Sequence, residues 1–207
     1  MPSTANPLRR LGLCLALALL TACGGGSPKL GKLPADAVIL AFGDSLTHGT
    51  GATTQESYPA VLERLAGRKV VASGVPGEVS AAGLARLPGM LDEIKPRLLL
   101  LCHGGNDFLR KLDEREAAKN LRAMVQEART RGIDVVLIAT PKPGLMPSPP
   151  AFYAEIAKEL KLPFEDGALK KILTDNELKS DLVHPNAKGY ARMAQAVADL
   201  LKASGAL

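Results

Sequence analysis

The run Arg97-Leu98-Leu99-Leu100-Leu101-Cys102 decides the fold class, because four consecutive leucines leave no polar face for solvent. Residues 135–138 form a second run of this kind. Strands with continuous rather than alternating hydrophobicity are typical of parallel sheets that helices cover on both faces. We therefore expect a buried parallel sheet between two helical layers.

Apolar runs and helical segments alternate along the rest of the chain. The expected strands are residues 37–42, 69–72, 97–102, 133–139 and the weaker 162–164. The expected helices are residues 58–67, 80–91, 113–131, 150–160, 167–173 and 187–203. This alternation predicts an α/β fold, a three-layer α/β/α sandwich with a five-stranded parallel sheet.

The chain has 207 residues, of which 46% are hydrophobic, enough for one sizeable core but short for two. We expect a single folded domain over residues 36–207. Cys102 ends the leucine run, and a small buried side chain is the expected role for it rather than a reactive thiol. The other two cysteines, Cys14 and Cys23, precede the domain, so an intramolecular disulfide within it is excluded.

Four short motifs lie where such a sheet binds ligands, close to the carboxyl ends of its strands. They are Gly43-Asp44-Ser45-Leu46-Thr47, Gly74-Val75-Pro76-Gly77, Gly104-Gly105-Asn106-Asp107 and Asp181-Leu182-Val183-His184-Pro185. The first three follow the first three expected strands, and the fourth precedes the last expected helix. This shared edge is the expected position of an active site.

Ser45 stands at a strand-to-helix turn, where helix amides can stabilise the negative charge that an attacking serine creates. The alternative is that Ser45 only caps the helix. His184 stands three residues after Asp181, so the carboxylate can accept the Nδ1 proton and leave Nε2 free for the Ser45 proton. Here the alternative is a surface turn in which Pro185 starts a helix.

The four motifs together resemble the sequence blocks of the SGNH (GDSL) hydrolases, over residues 36–203, and especially the bacterial thioesterase, lysophospholipase and arylesterase branch. The resemblance implies a flavodoxin-like fold and a serine esterase with the catalytic residues Ser45, Asp181 and His184. It also implies an oxyanion hole formed by the N–H groups of Ser45 and Gly77 and the Asn106 side chain.

One departure and two alternatives qualify the motifs, and the absence of another motif distinguishes the chain from the α/β-hydrolases. Close relatives often have an asparagine a few residues before the glycine of the second block, whereas this chain reads Val71-Ala72-Ser73-Gly74-Val75-Pro76-Gly77. The Gly-x-Ser-x-Gly elbow of α/β-hydrolases is absent, because Thr47 replaces its second glycine. The alternative for Gly77 is a turn residue that adopts positive φ and has no part in the oxyanion hole. The alternative for Asn106 is that it only caps a turn.

Residues 141–150 contain six prolines or glycines and form a candidate substrate wall after the fourth expected strand. Leu145 and Met146 are the apolar side chains of this segment, and we expect them to contact the acyl chain of a substrate. Packing of both residues onto the core is the alternative. His48 and His103 are weaker candidates for the site.

The expected substrates are small acyl esters or thioesters, including aryl esters and lysophospholipids. The alternatives are a carbohydrate O-acetylesterase that acts on envelope glycans and a non-catalytic envelope-binding lipoprotein. The chemistry needs no cofactor, and three scattered histidines without His-x-x-x-His or Cys-x-x-Cys spacing predict no metal site. Scattered basic residues, a net charge of only +5 and 3% aromatic residues give no indication of nucleic-acid binding.

The N-terminal segment has the pattern of a bacterial export signal. Arg9-Arg10 precedes an apolar run at residues 11–20, about half the length that spans a bilayer. Leu20-Thr21-Ala22-Cys23 resembles a lipobox, which implies a lipoprotein signal peptide over residues 1–22 and a lipid on Cys23. An ordinary secretory signal is the alternative.

The glycine-rich stretch after Cys23 predicts a flexible linker over residues 23–35. Multiple acyl chains on Cys23 would give stable membrane anchorage. We therefore expect a lipid-anchored protein of the cell envelope, and Gly24 rather than aspartate after Cys23 favours the outer membrane by resemblance to lipoprotein sorting rules.

Overall fold

The computed structural model describes residues 28–144 and 146–207. Its strands are β1 (Val38–Gly43), β2 (Lys69–Gly74), β3 (Leu98–Cys102), β4 (Asp134–Ile138) and β5 (Phe164–Glu165). Its α-helices are α1 (Ser45–His48), α2 (Tyr58–Ala66), α3 (Ser80–Ile94), α4 (Gly105–Leu109), α5 (Glu114–Thr130), α6 (Ala151–Glu159), α7 (Ala168–Thr174) and α8 (Ala187–Ala203). A 3₁₀ turn covers Thr54–Glu56.

The five strands form one parallel sheet in the order β2-β1-β3-β4-β5. Gly43 on β1 pairs with Gly74 on β2 and with Cys102 on β3, so these three strands end level with one another. The segments that follow them therefore meet at one edge of the sheet. The expected five-stranded parallel sheet and the α/β fold class are confirmed.

Side chains alternate between two cores, one on each face of the sheet, because successive residues of a strand point in opposite directions. Leu98, Leu100 and Cys102 pack with helices α2, α7 and α8. Leu99 and Leu101 pack with helices α3, α5 and α6 on the other face. Every residue of β3 is buried, which is the reason for its uninterrupted hydrophobicity.

Helix α8 shows how the sequence specifies a helical layer. Its buried residues recur at the three- and four-residue spacing of one helix face. They are Tyr190, Met193, Ala194, Val197, Ala198 and Leu201. Asn186 caps the helix, since its side-chain oxygen accepts a hydrogen bond from the Gly189 N–H at 3.1 Å.

Several bounds differ from those expected. Helix α3 continues to Ile94, past the expected end at residue 91, although it contains Pro88. Strand β5 is only two residues long, lies at residues 164–165 and pairs with β4 at the edge of the sheet. No bounds were expected for the short helices α1 and α4, although a helix was expected to begin near Ser45.

The end of the expected linker is bound to the domain. The Leu30 N–H donates to the Ser204 carbonyl and the Leu33 N–H to the Ala206 carbonyl, each at 2.9 Å. Leu33 is buried, and an apolar side chain there stabilises the contact. The signal peptide, Cys23 and the glycine-rich part of the linker lie outside the described residues.

Candidate active site

Ser45 is the first residue of α1, directly after the turn that leaves β1. The cap of this helix is Asp44, whose carboxylate accepts the Leu46 N–H at 3.1 Å. The Ser45 hydroxyl instead lies 3.0 Å from Nε2 of His184. The alternative that Ser45 only caps the helix is therefore not what the structure shows.

Gly43 is needed at this turn because β1 and β3 approach closely. A Cβ atom on Gly43 would lie 2.0 Å from the backbone oxygen of Cys102. Asp44 beyond it is buried. Burial raises the pKa of the Asp44 carboxyl above its usual value, although the hydrogen bond from the Leu46 N–H opposes this shift.

Asp181 and His184 lie on the loop before α8 and complete a chain of contacts with Ser45. Nδ1 of His184 lies 2.7 Å from Oδ2 of Asp181. Oδ1 of Asp181 accepts the N–H groups of Val183 and His184, each at 2.8 Å. The carboxylate is thereby fixed in orientation, and an Nδ1–H tautomer of the imidazole fits it.

The pKa of Asp181 reflects opposing effects. Partial burial would raise it, but the hydrogen bonds from the His184 ring and from two backbone amides outweigh burial and hold the pKa below its usual range. Asp181 is thus ionised at neutral pH, as a partner of the imidazole must be.

The loop itself is closed by backbone hydrogen bonds. The Ser180 N–H donates to the His184 carbonyl and the Asn186 N–H to the Leu178 carbonyl, each at 2.9 Å. The Asp-x-x-His-Pro motif therefore does form a surface turn. The same turn also places the His184 ring next to Ser45. The two interpretations of this motif are compatible.

Asn106 lies in α4 and is 8% exposed. Its Nδ2 donates to the Glu78 carbonyl at 3.0 Å and approaches Oδ2 of Asp44 at 3.3 Å. Gly77 has a φ of +79°, which favours glycine, and its carbonyl accepts a hydrogen bond from Arg110 at 2.7 Å.

A small pocket, with a cavity volume of about 30 Å³, opens beside Ser45, Asn106 and His184. Most of its remaining wall is apolar. The apolar wall residues are Leu46, Leu109, Pro141, Pro143, Leu173 and Val183. Gly77 is not among the residues that line this pocket. The site can thus hold an apolar group next to the serine hydroxyl.

The loop at residues 141–150 contributes to the pocket differently from the expectation. Pro141 and Pro143 line it, whereas Met146 does not and is 83% exposed. Met146 therefore does not pack onto the core either. Leu145 lies outside the described residues.

Sequence reasoning missed the apolar wall residues Leu109, Leu173 and Val183. Val183 lies inside the Asp-x-x-His motif and Leu109 follows the Gly-Gly-Asn-Asp motif closely, so position in the motifs was the available signal. Leu173 comes from α7, and nothing in the sequence connects it with the site.

The two other histidines do not line this pocket. His48 is exposed, and His103 is fully buried beside Glu78 at 3.2 Å. Within the described ranges, there is no cluster of three or more His, Cys, Asp or Glu side chains that could hold a metal ion. No helix in those ranges is long and apolar enough to span a membrane.

Residues 41–192 match the model of the GDSL-like lipase/acylhydrolase family. The chain belongs to this family and is an esterase of the SGNH type.

Two curated relatives and one solved structure illustrate the similarity. The chain is 38% identical over 135 residues to esterase TesA of Pseudomonas aeruginosa, covering 63% of this chain and 62% of that protein. It is 28% identical to thioesterase 1/protease 1/lysophospholipase L1 of Escherichia coli K12, covering 79% and 83%. The crystal structure of TesA matches with a TM-score of 0.71 and 30% identity, covering 80% of this chain and 98% of that chain.

Proposed function

We propose that Ser45 is the nucleophile of the esterase, His184 its general base and Asp181 the group that orients the imidazole. One observation carries this assignment. The Ser45 hydroxyl, the His184 ring and the Asp181 carboxylate form an unbroken chain with contacts of 3.0 Å and 2.7 Å. These distances are within the hydrogen-bond reach that proton transfer requires.

In the first half-reaction, Nε2 of His184 takes the Ser45 proton while Oγ attacks the acyl carbonyl carbon. The tetrahedral intermediate collapses, and the alcohol or thiol leaves with the proton from His184. In the second half-reaction, His184 takes a proton from a water molecule as the water oxygen attacks the acyl carbon. The bond between this carbon and Oγ of Ser45 then breaks, Oγ takes the proton back from His184, and the acid is released. Asp181 stays ionised and stabilises the imidazolium each time.

The oxyanion would be stabilised by the N–H groups of Ser45 and Gly77 and by Nδ2 of Asn106. Of the two Asn106 contacts, the 3.3 Å approach to Asp44 is the longer and weaker one. We expect this N–H to turn to the oxyanion when substrate binds, while the shorter bond to the Glu78 carbonyl holds the amide in place.

The apolar pocket favours acyl esters or thioesters over an acetylated sugar. Prolines and aliphatic side chains offer few partners for sugar hydroxyls, whereas they can bury the methylene groups of an acyl chain. The names of the Pseudomonas and Escherichia relatives include esterase, thioesterase and lysophospholipase. We propose this substrate range for the present chain, with aryl esters included.

We also propose that the protein is anchored to the cell envelope by a lipid on Cys23. The motif Leu20-Thr21-Ala22-Cys23 after a short apolar run supports this proposal. Metabolic labelling with an alkyne-tagged palmitate would label the wild-type chain but not Cys23→Ala. Equal labelling of both chains would exclude the anchor.

The test of the catalytic assignment is hydrolysis of p-nitrophenyl esters, from acetate to palmitate, by residues 24–207. Ser45→Ala and His184→Ala should each lower kcat by about 10³-fold or more, because the residues of such a triad act as one unit. Asp181→Asn should lower it by about 10²-fold or more, because the wrong tautomer is then favoured. An exposed control, Glu116→Gln on α5, should retain wild-type turnover. Wild-type turnover in Ser45→Ala would overturn the assignment.

A further inference from the structure

Glu78 directly follows Gly77, and its carboxylate is almost completely buried although the proposed chemistry does not use it. The side chain is 7% exposed. Arg86 on α3 donates to both carboxylate oxygens, from Nε to Oε1 at 2.9 Å and from Nη2 to Oε2 at 2.7 Å. A two-point contact of this kind fixes the plane of the carboxylate.

Arg86 is itself held at the ends of two strands. Its Nη1 donates to the Ser73 hydroxyl at 2.5 Å, and its Nη2 approaches the Ser73 carbonyl at 3.3 Å. Its guanidinium lies 4.1 Å from the centre of the Phe42 ring, within the range of a cation–π contact. Arg86 therefore connects Glu78 rigidly to β1 and β2.

His103 holds the same carboxylate from the other side. Its Nδ1 accepts the Gly104 N–H at 3.0 Å, so the ring proton is on Nε2, which faces Oε2 of Glu78 at 3.2 Å. Gly83 leaves room for the ring, because a Cβ atom there would lie 2.3 Å from Nε2. The Tyr153 hydroxyl donates to the His103 carbonyl at 2.7 Å and fixes its backbone.

This assembly connects the two loops that carry the proposed oxyanion donors. The backbone carbonyl of Glu78 accepts the 3.0 Å hydrogen bond from Nδ2 of Asn106. Gly77 is the residue directly before Glu78. Its N–H is the other proposed oxyanion donor on these two loops. A rotation of the Glu78 side chain or backbone would therefore misdirect donors on both loops.

We propose that Glu78 is a positioning residue for the oxyanion hole, held in place by Arg86 and His103. This inference rests on the proposed function of Ser45, Gly77 and Asn106. The assembly acts on the tetrahedral intermediate rather than on the bound ester, because only the intermediate carries the oxyanion. It accordingly affects kcat and not KM.

The first test compares Glu78→Gln with the wild type, using the full-length chain in detergent. Complete loss of one oxyanion donor costs about 10²–10³-fold in kcat, and misdirection of donors that remain present should cost about tenfold. KM should stay unchanged. The affinity for an alkyl boronic acid, which forms a tetrahedral anion on the serine, should fall by the same factor as kcat.

The second test separates the His103 hydrogen bond from the space that the ring fills. His103→Leu removes the donor to Glu78, and we expect a loss of kcat and of boronate affinity as in Glu78→Gln. His103→Gln keeps an N–H donor near the position of Nε2, so it should restore most of both. Equal loss of activity in the two variants would mean that the ring acts only through packing, and would overturn the role of the hydrogen bond.

A control is Glu165→Gln on β5, which removes another carboxylate of the fold, one that is half-buried and accepts the N–H groups of Gly167 and Ala168. It should leave kcat unchanged. Wild-type kcat in folded Glu78→Gln, or the same kcat loss in Glu165→Gln, would overturn the proposal. An inactive Ser45→Ala together with a fully active Glu78→Gln would overturn the positioning role alone. An active Ser45→Ala would overturn the catalytic assignment and the positioning role with it.

Discussion

The surroundings of Glu78 lower its pKa, whereas those of Cys102 raise its pKa. Burial by itself would raise the pKa of Glu78, but hydrogen bonds from His103 and Arg86 and the charge of Arg86 outweigh burial and lower this pKa to about 2. Burial of the Cys102 thiol raises its pKa well above the usual value, with a smaller contribution from Asp44. Each shift gives a prediction at the residue scale.

Glu78 should stabilise the folded protein in a pH-dependent way. Its pKa is about 2 in the folded state against 4.5 ordinarily, so its ionised form stabilises the fold fully above pH 4.5. This contribution is lost as the pH falls from 4.5 towards 2. The difference in unfolding free energy between wild type and Glu78→Gln should therefore be largest at pH 7 and smaller at pH 3.

Urea unfolding at both pH values measures this difference. The exposed Glu116→Gln variant controls for the general loss of a negative charge. A difference that grows towards pH 3 would have the wrong sign for a lowered pKa and would contradict the prediction.

Cys102 should be inert in the folded domain, because it is fully buried and thiolate is the reactive form. With residues 24–207, where Cys102 is the only cysteine, Ellman's reagent should detect no thiol in native buffer and one thiol in guanidinium chloride. Stoichiometric reaction within minutes in native buffer would contradict the burial. Cys102→Ser provides the blank.

At the scale of elements, the bounds of long helices could be predicted from the sequence, whereas those of the shortest helices could not. Helices α1 and α4 have four and five residues, too few to show a helical period in the sequence. Both begin at the edge where β1 and β3 end, and tertiary contacts determine them. Long helices such as α5 and α8 were predicted from their periodicity to within one residue at each end.

Helix α3 contains two glycines that should respond in opposite ways to replacement by alanine. A Cβ atom on Gly89 meets nothing within 4 Å, whereas one on Gly83 would lie 2.3 Å from Nε2 of His103. Gly89→Ala should therefore stabilise the protein by about 0.5–1 kcal/mol, the usual gain in a helix. Gly83→Ala should destabilise it by about 1–3 kcal/mol through overpacking.

Thermal and urea unfolding of the two variants measure these effects. Each variant is the control for the other, because both replace a glycine of α3 by alanine. Stabilisation by Gly83→Ala would show that the His103 ring moves away freely. Destabilisation by Gly89→Ala would show that Pro88, directly before it, prevents a regular helix at this position.

At the scale of the whole molecule, the attachment of residues 30–33 determines how a lipid anchor would present the active site. Leu30 contacts Ser204 at the C-terminal end of α8, while His184 lies just before its N-terminal end. A helix of 17 residues at about 1.5 Å per residue separates the two ends by about 26 Å. The site thus lies at the end of α8 opposite to the end where Leu30 is attached.

Only seven residue steps connect Cys23 with Leu30, which reach about 25 Å when fully extended at about 3.5 Å per step. If Cys23 carries the lipid, the site can scarcely reach the membrane that holds the anchor. We expect lipidated protein in vesicles to hydrolyse a soluble aryl ester well and a long-chain lysophospholipid of the same vesicle poorly.

Insertion of about twelve Gly and Ser residues after Ser27 should raise hydrolysis of the vesicle-bound lysophospholipid several-fold and leave that of the soluble ester unchanged, because the longer linker lets the site reach the bilayer. The lysophospholipid dispersed in detergent shows whether it is a substrate at all. Equal rates on the vesicle-bound lipid with both linkers would contradict this orientation.

The sequence by itself determined the parallel sheet and its strands, and it singled out Ser45, Asp181 and His184 as candidate catalytic residues, because hydrophobic periodicity and short motifs are local properties. Only the tertiary structure decided that Asp44 rather than Ser45 caps α1, and that Leu173 of α7 lines the pocket. It alone also placed His103 and Arg86 on Glu78, and residues 30–33 against the end of α8. These contacts join residues far apart in the chain, and which distant residues meet depends on the packing of whole elements rather than on any local pattern.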